Sequence, residues 1–169
     1  MSFQKILVTL ELSPRDESVF SEALSLAEHI GAQLILIHCL SDLTEMAMMS
    51  QTGLDSAYGS PGIPAASTMS PAMVNMDLVK EASTVKHQQV EKHLASYEKQ
   101  AAAKGVAVEY KWYEATGSVG SQICQIAQDL NVDLIILGRK GHNAIAEALL
   151  GSVSNHVMHH APCAILIIQ

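Results

Sequence analysis

The sequence predicts an α/β fold, a doubly wound, five-stranded, mostly parallel sheet with helices on both faces, in one domain over residues 1–169. Short apolar runs alternate along the chain with segments of helical periodicity. The runs are nearly continuous in apolar residues, as in strands that are covered on both faces. Strands that alternate with helices pair in parallel through right-handed crossovers, which place helices on both faces of the sheet.

The first part of the chain predicts two strands around one helix. Residues 5–10 (KILVTL) and 34–40 (LILIHCL) are the strands. Ser13 and Pro14 fit the N-cap and the first residue of the helix between them. Apolar residues then recur at three- and four-residue spacing until Gly31, which suits a C-terminal cap.

Residues 41–76 have a different composition, rich in methionine, proline and small polar residues, and no sustained period. A connection of this length is either a functional loop or a disordered one. We expect a flexible insertion. A binding lid or a partner surface is the alternative, since methionine side chains suit adaptable contacts.

The rest of the chain predicts three more helices and three more strands. Alternating apolar residues in the third strand indicate a position near a sheet edge. Ser118 fits the N-cap of the helix that follows. The predicted elements are, in order, a helix from Asp77 to Gly105, a strand at 106–113, a helix to Leu130, a strand at 132–137, a helix at 152–160 and a strand at 163–168.

Composition limits the class of protein. With 49% hydrophobic and 16% charged residues the chain is globular, and no apolar stretch reaches the roughly 18 residues of a bilayer span. A net charge of -7 argues against a nucleic-acid backbone as partner. The three cysteines show no CxxC spacing, and no export signal is evident. We expect a soluble cytoplasmic protein with neither membrane nor nucleic acid as partner.

A glycine pattern follows the fourth predicted strand. Glycine lets the main chain approach a ligand closely, and a helix start offers unsatisfied amides to a phosphate. Arg139 and Lys140 add positive charge to the same loop. The pattern, GxxGx9GS, consists of Gly138, Gly141, Gly151 and Ser152. It favours a phosphate site, while the alternative is that these glycines only turn the chain and break a helix.

Other polar residues are better explained by structure than by chemistry. The histidines of the last helix, His156, His159 and His160, have no carboxylate nearby and suit a helix C-terminus as cations. His38 is expected to be a hydrogen-bonded core residue, and Asp133 to lie at a strand start away from any ligand. No residue is assigned as catalytic or as a metal ligand.

The chain resembles the ATP-binding branch of the universal stress protein family over nearly its whole length. The resemblance rests on KILVTL, HIGAQL and LILIHCL, and above all on DLIILGRKGHNAIAEALLGSVSNHVMHHAPCAILII. It implies a Rossmann-like fold of the adenine nucleotide alpha-hydrolase type. It also implies ATP, ADP or AMP as ligand, with Mg²⁺ or Mn²⁺ as the candidate accompanying ion.

By this resemblance, two groups of residues contact the nucleotide. The base would lie against Leu10, Glu11 and the backbone of Cys39. The phosphates and ribose would be surrounded by Gly138, Arg139, Gly141, Gly151, Ser152, Val153 and Ser154. The family commonly has Asp where this chain has Glu11, which bears on base selectivity and on any metal contact there.

The resulting hypothesis is an adenine-nucleotide-binding stress-response regulator whose state depends on the bound nucleotide. The resemblance implies a homodimer through residues 163–168, and a regulatory protein partner is expected. At most weak ATPase activity is expected, because no base can be assigned. The alternatives are a slow ATP hydrolase that uses Glu11 and a dimerisation module that binds no nucleotide.

Overall fold

The computed structural model describes residues 3–40, 76–115, 117–139 and 151–169. Five strands and four helices lie within these ranges. In chain order they are β1 Lys5–Thr9, α1 Asp16–Ile30, β2 Gln33–Leu40, α2 Met76–Ala103, β3 Val108–Glu114, α3 Val119–Asp129, β4 Leu134–Gly138, α4 Ser152–His160 and β5 Ala164–Ile168. None of these helices combines the length and the apolar character that a membrane span requires.

The strands form one sheet in the order β3-β2-β1-β4-β5, and every pair is parallel. The predicted fold class is therefore confirmed. Leu7 at the middle of β1 pairs with Ile35 of β2 on one side and with Ile135 of β4 on the other. After β1 the chain adds β2 and β3 on one side of it. The chain then crosses over and adds β4 and β5 on the other side of β1. The strand order thus reverses between β1 and β4, where ligands of such sheets bind.

Alternation along the strands divides the core into two layers. Ile6 and Val8 belong to the layer between the sheet and helices α1 and α2, whereas Leu7 belongs to the layer under α3 and α4. All three side chains are fully buried. Burying a side chain of this size contributes about 1.5–3 kcal/mol. The unbroken apolar runs in the sequence reflect this double coverage.

Several local predictions are confirmed. Gly31 ends α1 in the left-handed conformation, with φ at 70°, and its N–H donates to Ala27. The hydroxyl of Ser118 caps α3 by accepting the Ser121 N–H at 3.4 Å. β3 lies at a sheet edge. Asp133 lies just before β4, at the amino end of the strands, where backbone N–H bonds from Lys5 and Gln4 lower the pKa of its carboxyl.

The predicted start of α1 is wrong. The helix begins at Asp16 with Arg15 as N-cap, and no side chain caps it. Ser13 and Pro14 instead belong to the turn that precedes it, because the Asp16 carboxylate turns back and accepts the Ser13 N–H and hydroxyl. The predicted insertion at 41–76 lies outside the described residues except for Met76, which begins α2.

Candidate functional site

The beginning of α4 is fastened to the end of β4. The Gly151 N–H donates to the carbonyl of Arg139 at 3.1 Å, and the Ser154 hydroxyl donates to the same carbonyl at 2.7 Å. Arg139 also donates its own N–H to Ile168 of β5 at 2.8 Å. Ser154 is only 2% exposed. The N-terminus of α4 is therefore fixed at the carboxyl end of the sheet.

The first turn of α4 presents main-chain donors. Gly151 precedes the helix in an extended conformation, and the first helical bond runs from Asn155 N–H to Gly151 at 2.9 Å. The N–H groups of Ser152, Val153 and Ser154 precede that bond, so they have no partner within the helix. Among the described residues no side chain caps this end. Such an N-terminus attracts an anion through its amides and its dipole.

The two serines of this turn differ in where their hydroxyls lie. Ser152 is exposed, so its hydroxyl is at the surface beside the helix start. The Ser154 hydroxyl is buried and donates to Arg139, with the Gly151 carbonyl at 3.1 Å. Ser154 could contact a ligand through its amide, whereas its side chain holds the two elements together.

The glycines of the predicted loop are only partly described. Gly138 is the last residue of β4 and is half-buried in regular strand conformation, so no left-handed turn occurs there. Within the part of the chain that the structure describes, a Cβ added to it would meet Val19 Cγ2 alone, at 3.6 Å, an ordinary contact. Gly141 and Lys140 lie outside the described residues, and their predicted role stays a prediction.

At the end of β1, the side chain of Leu10 and both of its main-chain groups already make contacts within the protein. Its side chain is 2% exposed and lies in the core layer beneath α1 and α2. Its N–H donates to Ile37 at 2.9 Å, and its carbonyl accepts Nδ1–H of His38 at 2.7 Å. His38 is thus the hydrogen-bonded core histidine that the sequence predicts. Burial lowers the pKa of its imidazole, which favours the neutral ring.

Glu11 and Leu12 form the turn that leaves β1. The Glu11 N–H donates to Asp16 Oδ1 at 2.9 Å. Leu12 has φ at 55°, a left-handed conformation that costs a branched side chain on the order of 1 kcal/mol. Asp16 therefore holds a strained turn in place from the first residue of α1.

Asp16 also contacts α2. Its Oδ2 lies 2.8 Å from Nε2 of His93, and the Asp16 side chain is 4% exposed. Sequence reasoning missed both residues. The available signal was the position of His93, three residues after Val90 and four before Tyr97, which places a polar side chain on the apolar stripe of a helix.

Cys39 extends the site onto β2. The Ile37 carbonyl accepts the N–H of Leu10, just after β1. The main-chain groups of successive residues in a strand point alternately to its two neighbouring strands. The N–H and C=O of Cys39, two residues later, therefore point to the β1 side, beyond the end of β1. Burial raises the pKa of the Cys39 thiol to about 11. The thiol is therefore protonated at neutral pH and acts as a small apolar group.

His159 and His160 lie in the last turn of α4, and His156 lies one turn earlier, at the middle of the helix. The rings of His156 and His160 stack with centroids 4.2 Å apart, and His160 Nδ1 lies 2.9 Å from the His156 carbonyl oxygen. Within the described ranges, no three His, Cys, Asp or Glu side chains come together in a way that could hold a metal ion.

The structure therefore brings most of the predicted residues to one end of the sheet. Glu11 and Cys39 come from the ends of β1 and β2, and Gly138 and Arg139 from the end of β4. Beside them lie Gly151, Ser152 and Val153 at the start of α4. This is the crevice at the switch point of a doubly wound sheet.

The sequence has relatives that fit this architecture. Residues 63–169 match the family model described as Universal stress protein family. Universal stress protein Sll1388 of Synechocystis sp. is 31% identical over 170 residues, which cover 100% of this chain and 99% of that protein. The chain belongs to the universal stress protein family.

Solved structures share the fold. The universal stress protein UspA from Lactobacillus plantarum superposes with a TM-score of 0.72 at 22% identity, over 100% of this chain and 99% of that one. A universal stress protein in complex with cAMP has a TM-score of 0.59 at 18% identity, over 100% and 98%. One from Archaeoglobus fulgidus in complex with dAMP has 0.58 at 16% identity, over 100% of both chains.

Proposed function

We propose that this protein is a regulator that binds an adenine nucleotide between the ends of β1 and β4. The observation that carries the proposal is the N-terminus of α4, whose first-turn amides lie at the carboxyl end of β4 next to β1. Amides in this position bind a phosphate without any lysine or metal. Arg139 brings positive charge to the same place in a chain whose net charge is -7.

The adenine part of the proposal has separate support. Two proteins of the same fold are described as complexes with cAMP and with dAMP. In this chain, Cys39 directs a main-chain donor and an acceptor past the end of β1, as a base edge requires. Glu11 lies beside them at the end of β1. ATP, ADP and AMP are the ligands to compare.

A homodimer through β5 belongs to the same proposal. β5 pairs only with β4 among the described strands, so its other side is a sheet edge. Leu166 on this strand is 38% exposed. An apolar edge strand is a site of association unless another chain or element covers it. Sedimentation with and without ATP tests whether the dimer forms and whether its stability depends on nucleotide.

Calorimetry on protein freed of bound nucleotide tests the main proposal. ATP, ADP, AMP and cAMP are titrated with and without Mg²⁺ or Mn²⁺, and the same samples are assayed for ADP and phosphate. Saturable binding without turnover supports the regulator. Steady turnover that Glu11→Gln abolishes would make the protein a hydrolase, and an absence of binding to every nucleotide would leave a dimerisation module.

A further inference from the structure

The turn at residues 10–13 is held by side chains from three different elements. His38 of β2 donates to the carbonyl of Leu10. Asp16 of α1 accepts from the next amide and, more weakly, from Ser13. The third side chain, His93 of α2, does not touch the turn and acts through Asp16. This turn carries Glu11 into the proposed nucleotide site.

We propose that Asp16 and His93 form a positioning pair that holds this turn in the geometry needed to receive a nucleotide, a role that rests on the proposed function. The two side chains meet at 2.8 Å, with Asp16 4% and His93 28% exposed. A carboxylate withdrawn from water needs donors to compensate for its lost hydration. The turn donates to Oδ1 at 2.9 Å but to Oδ2 only at 3.4 Å, from the Ser13 N–H, and His93 supplies Oδ2 with a shorter bond.

The pair holds a conformation that the turn does not favour by itself. Leu12 has a left-handed φ of 55°, which side chains rarely adopt. Such residues persist where the surrounding structure fixes them, and they cluster at ligand sites. The Asp16 carboxylate binds on both sides of Leu12, at the Glu11 N–H and at Ser13. Loss of its orientation would release Leu12 and move Glu11.

The direction of the His93 ring is set by the packing of α2 on α1. The Tyr97 ring meets His93 edge to face at 5.0 Å and lies 4.4 Å from the ring of Phe20. The Tyr97 hydroxyl donates to Glu17 at 3.4 Å. A displacement of α2 along α1 would thus change the contact with Asp16. Affinity for nucleotide is therefore coupled to the position of α2, and the coupling is reciprocal.

Two substitutions of His93 separate positioning from simple support of the fold. In His93→Gln the amide nitrogen takes the place of Nε2 and keeps a donor toward Asp16, whereas His93→Leu removes it. His87→Leu is the matched control, because His87 lies on the same helix and faces Trp112 and Glu114 instead. Asp16→Asn keeps the shape of the acceptor side chain and removes its charge.

Amide hydrogen exchange of the ligand-free variants is measured first, then ATP affinity by calorimetry. In His93→Leu and Asp16→Asn we expect the Glu11 amide to exchange about ten-fold faster, because its acceptor loses its orientation in the first variant and its charge in the second. The Leu10 amide, which is bonded to Ile37, should keep its rate. The Kd for ATP should rise about ten-fold in both variants, and His93→Gln should recover most of it.

Two results would overturn the proposal. One is a Glu11 exchange rate and a Kd in His93→Leu that match those of His87→Leu. The other is faster exchange throughout the chain, Leu10 included, with no recovery in His93→Gln, since that pattern marks loss of overall stability. A wild-type protein that binds no ATP would refute the nucleotide site instead, and the Glu11 amide would still decide whether the pair holds the turn.

Discussion

Ser154 Oγ lies 2.7 Å from the carbonyl oxygen of Arg139, fifteen positions earlier in the chain, and donates its proton to it. The same carbonyl accepts the Gly151 N–H. A buried serine thus links the end of a strand to the start of the helix whose amides form the proposed phosphate site. On the proposed function, stability and ligand binding depend on different atoms of the same helical turn.

Ser154→Ala should lower the free energy of unfolding by about 1–2 kcal/mol, because it removes a buried hydrogen bond and leaves its acceptor with one donor. Urea denaturation measures the change. Ser152→Ala is the matched control, since Ser152 is exposed and its loss should change stability by less than about 0.5 kcal/mol. Ser152→Ala should weaken ATP binding while stability is kept, because it removes a hydroxyl at the surface beside the proposed phosphate site. Equal stabilities for the two variants would contradict this division of roles.

Gly138→Ala should leave the fold intact and weaken nucleotide binding. Among the described residues the added methyl group meets Val19 Cγ2 at 3.6 Å, an ordinary contact, so the protein should accommodate it. A phosphate or ribose close to the backbone would meet the same methyl group. Thermal unfolding and calorimetry on one preparation give both values. Unchanged affinity would show that no ligand approaches Gly138 closely.

Gly120→Ala should destabilise the protein although it adds a better helix former to α3. A Cβ at Gly120 would lie 2.7 Å from the Cβ of His156 on α4, closer than real contacts allow. Overpacking costs about 1–3 kcal/mol, more than the roughly 1 kcal/mol that alanine gains over glycine in a helix. Chemical denaturation measures the balance.

The clash at Gly120 also predicts how a second substitution behaves. Because the nearest atom is the His156 Cβ itself, His156→Ala should relieve the loss only in part. Ser121→Ala in the same helical turn serves as control, since Ser121 is exposed and its substitution should be nearly neutral. A Gly120→Ala protein as stable as this control would mean that α3 and α4 separate without cost.

His38 predicts a loss of stability in mild acid. Burial lowers the pKa of its imidazole below the ordinary 6.5, so just below pH 6.5 the unfolded chain binds the proton more readily than the folded one. The stabilisation by neutral His38 is therefore complete above pH 6.5 and is lost as pH falls toward the folded pKa.

The substitution His38→Asn isolates this effect, because the new amide nitrogen can take the place of Nδ1 and still donate to the Leu10 carbonyl. The free energy of unfolding, measured between pH 7.5 and 5, should fall less steeply in His38→Asn than in the wild type. Other groups titrate in both proteins, so the difference between the two curves is the quantity to compare. Parallel curves would contradict a lowered pKa for His38.

The fold could be predicted because its signals are local. The glycine pattern likewise indicated that the end of β4 and the start of α4 meet, and its role in holding a phosphate stays a prediction. Strands that are buried on both faces have continuous apolar runs in their sequence. Helix ends are marked by residues such as Gly31 and Ser118. The contact of Asp16 with His93 joins residues 77 positions apart and depends on how α2 lies on α1. No local rule contains that information.

The start of α1 shows how a sound local rule can fail. Ser13 followed by Pro14 satisfies the preference for a helix start. The hydroxyl of Ser13 nevertheless donates to Asp16, and Arg15 is the residue at the N-cap. A tertiary requirement, the need to hold Leu12 in its turn and to meet His93, outweighed a preference worth about 1 kcal/mol.

The bond between Arg139 and Gly151 makes residues 140–150 a natural place for engineering. The chain leaves the sheet and returns at two residues joined by a hydrogen bond, with Ser154 securing the return. Doubling the length of a connection between fixed ends adds only about 0.6 kcal/mol of closure entropy. Residues inserted between Gly141 and Gly151 should therefore cost little stability, so recognition sequences for other ligands could be added there while the β-sheet scaffold stays unchanged.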